Sequence, residues 1–390
     1  MGLPTVKINI KTGGLDRAGD GVQKIPGLVL TGETVAGGIT IGESRQIFSL
    51  ADAEAIGITK DTTNTFAWKH LEAFYKQAGS GSELWIMVVS NATTYDQMAD
   101  VTENIAKKLV ADAGGRIRVL GLLKESQGSE TITEGIDADV KVGVSNAQEL
   151  AEYYEERYMP FRVVISGNKF SGTVAELFDF TTAAYNKVLM HLANTDGAPE
   201  ASIGNLLGRI AATPTQRSIA RVKDGAVEDF TAYFTNGQPV ETLRDAWDAI
   251  HDMGYVFYRN FTGKAGYYFS DDNTLTESTD DFSSLARGLV MDEALLLCYD
   301  VLIDELNDEI PVAADGTIHP AIIKSWQNNV NSRFSALMTQ QGKISAALCT
   351  IDPNQNVLST DKVVVQVSVQ PVGYGKFIDV ELGFTTQIAQ

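Results

Sequence analysis

What constrains this chain most is a succession of short, nearly unbroken apolar runs separated by stretches of helical periodicity. Ile25-Pro26-Gly27-Leu28-Val29-Leu30-Thr31-Gly32, Leu84 to Val89, Ile117 to Leu123, Arg162 to Ser166 and Val188 to Ala193 are of strand length and show little polar alternation. A strand that is apolar on both faces belongs inside a sheet covered on both sides, the pattern of parallel strands joined by crossover helices. Between the runs, Ser44 to Phe48 leads into a short helix over Leu50 to Ala55, and Phe66, His70, Phe74 and Tyr75 recur at helical spacing before Gly79 and Gly81. Further helices are predicted over Tyr95 to Asp112, Asn146 to Tyr158 and Thr173 to Tyr185. The first part of the chain is therefore read as α/β.

Further along, the rhythm changes to α+β. Pro239 opens a helix through Val240, Leu243, Trp247 and Ile250, and Tyr255 to Phe261 with Gly266 to Phe269 predicts paired strands. An apolar stripe through Phe282, Leu285, Leu289, Leu296, Tyr299, Ile303 and Leu306 predicts one long helix. Pro320 opens another, carrying Ile322, Ile323, Trp326, Val330, Phe334, Leu337 and Met338 to a stop at Gly342. Val363, Val365, Val367 and Val369 then alternate with polar neighbours, and Phe377 to Phe384 alternates again. At the other end Val6, Ile8 and Ile10 alternate with Lys7 and Asn9, followed by a polar stretch with four glycines over residues 12–24. These limits predict an N-terminal arm and linker (1–24), an α/β domain (25–235), a second domain (236–376) and a C-terminal arm (377–390).

Against 31 basic side chains stand 50 acidic ones, a net charge of -19. Such a field repels phosphate backbones and anionic lipid, so neither nucleic acid nor a membrane surface is an expected partner. No apolar run approaches the roughly 20 residues of a spanning helix. The start, MGLPTVKINIK, lacks the apolar stretch and cleavage site of an export signal, which predicts synthesis in the cytoplasm. Cys298 and Cys349 sit in apolar patterns and are read as buried free thiols.

Signatures of chemistry are weak throughout, and no catalytic, metal or cofactor-binding residue is predicted. Thr31 to Gly38 follows a strand and holds glycines, yet it has neither a phosphate-loop Lys-Ser/Thr nor a dinucleotide spacing, so it reads as a turn. His70, His191, His251 and His319 stand far apart, without metal-ligand spacing. The acidic stretch from Asp271-Asp272 to Asp280-Asp281 lacks the glycine and alternating ligands of a calcium loop and reads as a solvated connector. A strand on a flexible tether can pair at home or add to a neighbour's sheet, and periodicity alone leaves both open.

The segments GLVLTGETVAGG, SRQIFSLADAEAIGI, TFAWKHLEAFYKQAG and SELWIMVVS resemble the opening of contractile tail sheath proteins. Tyr267-Tyr268-Phe269-Ser270-Asp271-Asp272, the helix from about Asp280, the Pro320 helix and KVVVQVSVQPVGYGKFIDVELGF are similar to that family's conserved C-terminal domain, while residues 125–235 match least. The resemblance implies a subunit that binds itself in six-fold stacked rings or a helical lattice around an inner tube protein, with baseplate and terminator proteins as further partners. It needs no cofactor. It implies a lattice that contracts to drive the tube through a target envelope, as in a bacteriophage tail or a contractile injection particle. Carried over, Thr5, Val6, Lys7, Ile8, Asn9 and Ile10 form the N-terminal arm. Phe377, Ile378, Asp379, Val380, Glu381, Leu382 and Phe384 form the C-terminal arm or its receptor strand, with Gly13-Gly14 and Gly373 to Gly375 as hinges. The polar side of the Pro320 helix, with Lys324, Asn328, Asn331 and Arg333, is the expected tube-facing surface. Two rival readings remain: another tail structural subunit, or an α/β enzyme with a pocket at the carboxyl ends of its strands.

Overall fold

The computed structural model describes residues 24–380 apart from Thr62 and Glu228. Thr5 to Ile10, the Gly13-Gly14 hinge and Glu381, Leu382 and Phe384 lie outside the described residues. The chain divides into two compact units between Ile303 and Asp304.

In the first unit a sheet of seven strands is built on β1 (Ile25–Gly32), whose every residue is buried. Its other strands are β2 (Ser44–Ile47), β3 (Leu84–Ser90), β4 (Ile117–Leu123), β5 (Arg162–Ser166), β6 (Val188–His191) and β7 (Tyr255–Val256). Across the sheet they run β7, β6, β5, β4, β1, β3, β2, all parallel except the edge strand β2. Leu28 lies between Ile86 of β3 and Gly121 of β4, so the continuous apolar run of β1 has covered neighbours on both sides. Helices α1 (Leu50–Ala55) and α2 (Thr65–Ala78) connect β2 to β3, and Gly79 ends α2 at φ 82°, a conformation glycine adopts freely.

Three helical expectations are corrected. Tyr95 to Asp112 is two short helices, α3 (Tyr95–Ala99) and α4 (Ala106–Asp112). Between them Asp100 takes extended backbone (φ -60°, ψ 127°) and its carboxylate accepts from Thr102 N–H at 2.6 Å. That local bond competes with the helical ladder and breaks it. The helix read from Asn146 begins earlier, as α5 (Ala138–Glu155), with the Asp137 carboxylate accepting from Asp139 N–H at its start. Thr173 to Tyr185 holds only two single 3-10 turns, Val174–Glu176 and Phe180–Thr182. There Asp179 binds the Thr181 amide and hydroxyl, while Phe180 turns inward against Tyr255 with ring centroids 5.7 Å apart.

One helix is absent from the expectations above, although Ile203, Leu206, Leu207 and Ile210 stand at helical spacing. Helix α6 (Ile203–Ala212) lies against α2 through two glycines one turn apart. A Cβ at Gly204 would stand 1.9 Å from the His70 carbonyl oxygen, and one at Gly208 2.5 Å from that of Phe74. Only bare backbone fits at either place.

The 235/236 boundary expected from the sequence does not coincide with the division of the compact units. Strand β7 extends the main sheet beside β6, with Tyr255 opposite Met190. Val240–Ala246 is a 3-10 segment leading into α7 (Trp247–Asp252), and β8 (Tyr258–Arg259) pairs antiparallel with β9 (Tyr268–Phe269), as the sequence predicts. Helix α8 (Leu285–Leu302) is shorter than the predicted stripe and is pinned to β5 by a buried ion pair. Arg162 Nε donates to Asp292 Oδ2 at 2.8 Å and Arg162 Nη2 to the Gly288 carbonyl at 3.1 Å, with both charged side chains at most 2% exposed. Residues 236–303 thus belong to the first unit.

The second unit contains α9 (Pro320–Phe334), one π turn (Ser335–Thr339), and a hairpin of β10 (Ile344–Ile351) and β11 (Val365–Pro371). Ile323, Trp326, Val330 and Phe334 of α9 are buried, together with Met338, Ile344, Cys349 and Ile351. On β11, Val365, Val367 and Val369 are half-buried and Gln366, Ser368 and Gln370 exposed, the alternation read from the sequence.

Candidate assembly surfaces

In open α/β sheets ligands enter where the strands end at their carboxyl side. Here that region is occupied by the chain's own polar groups. Thr31 Oγ1 accepts from Glu125 N–H (2.8 Å), and Tyr95 OH accepts from Lys124 N–H (3.0 Å) and donates to Asn168 Oδ1 (3.1 Å). Lys124 Nζ bridges Asp137 (2.9 Å) and Asp139 (2.8 Å). Burial pushes the Tyr95 hydroxyl well above its usual range and raises the Glu200 carboxyl, which accepts from Ser126 N–H at 2.5 Å. At the turn after β1, Asn64 brackets Glu33, accepting from its N–H (2.8 Å) and donating to its carbonyl (2.9 Å). That amide is therefore spoken for, and the glycines of Thr31 to Gly38 form no open anion cradle around it.

The four histidines stay apart. His70 and His191 are buried at separate places, His251 lies between Asp252 and Asp271, and His319 caps α9 by accepting from Ala321 N–H (3.2 Å). Among the described residues no group of three or more His, Cys, Asp or Glu could hold a metal ion, and no helix is long and apolar enough to cross a membrane. Cys298 is half-buried and Cys349 buried, both as free thiols. The acidic stretch is not the solvated connector expected. Asp272 is 1% exposed and caps α8, accepting from Ala286 N–H (3.1 Å) and the Ser284 hydroxyl (2.7 Å). A buried carboxylate at a helix N-terminus is held by the orphan amides there.

Exposed apolar surface gathers in the second unit. Leu348 (58%), Val364 (55%), Phe377 (89%), Ile378 (81%) and Val380 (77%) face solvent. Phe377 to Val380 are in no strand. The β10–β11 hairpin has no third strand among the described residues. Its two outer edges differ. Asn331, on α9, accepts the outward Cys349 N–H of β10 at 2.8 Å, while Gln355 meets the backbone of Val364 just before β11. The four polar residues singled out on α9 do not form one face. Lys324 and Asn328 are exposed, Asn331 is drawn onto β10, and Arg333, nine residues after Lys324, points roughly opposite to it at about 100° per residue.

Residues 3–273 match the family model described as DUF2586, N-terminal domain. The chain belongs to that family. By sequence, no curated protein matches this DUF2586 chain. In structure it is similar over its whole length to contractile tail sheath proteins. The helical sheath of the anti-feeding prophage in its contracted state superposes with a TM-score of 0.64 at 14% identity, covering 99% of this chain and 100% of that one. The sheath complex of an extracellular contractile injection system, also contracted, gives 0.59 at 13% identity over 100% and 98%. The sheath tail protein from Desulfitobacterium hafniense gives 0.52 at 9% identity over 94% and 100%. At such identities the likeness is one of fold, and the fold of this DUF2586 chain is that of the sheath proteins.

Proposed function

We propose that the chain is the structural subunit of a contractile tail sheath, which polymerises on itself around an inner tube and shortens to drive that tube through a target envelope. One observation carries the reading: a hairpin with no third strand among the described residues is followed by exposed apolar residues, Phe377, Ile378 and Val380, that lie in no strand. Two strands alone are marginal in water, and a third supplies the missing backbone bonds. Phe377, Ile378 and Val380 would each contribute about 1.5–3 kcal/mol on burial. Ordering a residue costs about 1–2 kcal/mol, so a single arm binds weakly and a lattice holds through many.

In this reading Thr5 to Ile10 and Phe377 to Phe384 add to neighbouring hairpins, with Gly13-Gly14 and Gly373 to Gly375 absorbing the change of angle on contraction. The sheath proteins' conserved C-terminal domain is read over residues 236–376, of which 236–303 pack in the first unit, and Lys324, Asn328 and Arg333 remain candidates for tube contact. Asn331 serves the hairpin first. The particle is assembled from protein made in the bacterial cytoplasm, and baseplate and terminator proteins close its ends.

Negative-stain microscopy of the purified chain tests the proposal. Wild type is expected to form rings or tubes, and chains lacking residues 1–20 or 377–390 to stay monomeric with unchanged circular dichroism. A wild-type protein that remains monomeric at high concentration overturns it.

A further inference from the structure

A chain with a net charge of -19 repels its own copies, so a contact between copies is favoured where local positive charge meets local negative charge. One place on the first unit offers the positive half. A cleft of about 340 Å³ is lined by Phe230, Arg244, Phe261 and Lys264. Arg244 is stacked on Trp247 (4.9 Å) and donates to Asn260 Oδ1 (2.6 Å), and among the described residues neither it nor Lys264 is ion-paired with a carboxylate. Behind the lining, Glu241 accepts from Tyr267 OH (2.6 Å) and Asn260 Nδ2 (2.7 Å), and Asp229 adjoins Phe230 in sequence. At the mouth Phe230 is 87% exposed, which leaves a large apolar ring beside two cations.

The negative half is on the second unit. Asp304, Glu305, Asp308 and Glu309 surround Leu306, which is 68% exposed. Glu305 accepts from Trp326 Nε1 (2.7 Å), and Asn307 turns the chain at φ 63°, leaving Asp304, Asp308 and Glu309 in solvent beside the leucine. An exposed leucine flanked in sequence by three exposed carboxylates matches an exposed phenylalanine in a cleft with an arginine and a lysine, in both charge and apolar character. Both anchors are open within one copy.

We infer that the Phe230–Arg244–Lys264 cleft receives the Asp304–Glu309 segment of a second copy of this chain. The inference rests on the proposed function only in that copies of the chain meet.

Full-length Phe230→Cys and Leu306→Cys chains, one of them tagged, are mixed and oxidised, with wild type and Val142→Cys (50% exposed) setting the background. The expected product is a disulfide-linked 230–306 heterodimer well above background. Arg244→Glu with Lys264→Glu on the Phe230→Cys chain lowers its yield roughly tenfold, and Asp304→Lys, Asp308→Lys and Glu309→Lys on the Leu306→Cys chain restore it. No excess heterodimer, an excess of 230–230 homodimer, or a yield indifferent to charge reversal overturns the pairing. Microscopy of the same samples separates the two ideas. Tubes without the heterodimer retire this pairing alone, whereas heterodimer without tubes retires the sheath reading alone.

Discussion

Arg162 and Asp292 lie 130 positions apart in sequence, yet they form a buried pair that fixes α8 to the foot of β5. Removing one partner strands the other charge in a dry site. Asp292→Ala is therefore expected to lower stability by about 3–5 kcal/mol in denaturant unfolding, while the double replacement Arg162→Met, Asp292→Leu costs less. Equal losses for the single and double variants would contradict that account. Two buried histidines contribute to the acid sensitivity of the fold. Burial holds the His70 imidazole well below its usual range, helped by Lys69, and lowers His191 to about 3 against the bond from its Nδ1 to the Val256 carbonyl (3.0 Å). The unfolded chain takes up these protons near pH 6.5 and the folded one does not, so stability falls as pH drops below about 6.5, by up to about 1.4 kcal/mol per unit for each group. His251 works the other way. Asp271 and Asp252 raise it against burial, so its contribution is present below about pH 6.5 and fades as pH rises through the raised value. Thermal melts of wild type and His191→Gln between pH 7 and pH 4 should show a shallower acid slope in the variant.

The α2–α6 contact turns on the two glycines, which cost about 1 kcal/mol each in a free helix but permit backbone contact here. The apolar spacing of Ile203, Leu206, Leu207 and Ile210 does mark α6 in the sequence, but Gly204 and Gly208 lower its helix propensity, and they are the residues the packing requires. Gly204→Val would place a side chain where the His70 carbonyl stands, and should destabilise the unassembled chain far more than Gly373→Val, where a Cβ meets nothing within 4 Å. Similar melting temperatures for the two variants would mean that α6 is not seated as described. Asp100 and Asp179 broke two predicted helices in the same local way, by giving their oxygens to amides two residues on. Apolar periodicity does not register such bonds.

At the scale of the whole molecule the extensive core cluster runs through the sheet of the first unit, from Leu28 to Leu289, while residues 304–380 carry a small core beneath one helix and a hairpin. Heating the unassembled chain is expected to give two calorimetric transitions, the smaller first. Assembly should raise that lower transition by mass action. A single transition unmoved by assembly would speak against strand exchange at the hairpin. Five of the seven sheet strands, the Pro320 helix, the alternating β11 and the sheath likeness are legible in residue order, because continuous or alternating burial is written there directly. The places of β2 and β7 in the sheet, the division of the units, the roles of Asp272 and Asn331 and the glycines at a helix contact emerge only from the folded chain. Each of these depends on a partner far along the chain, and the spacing of neighbouring residues carries no record of it.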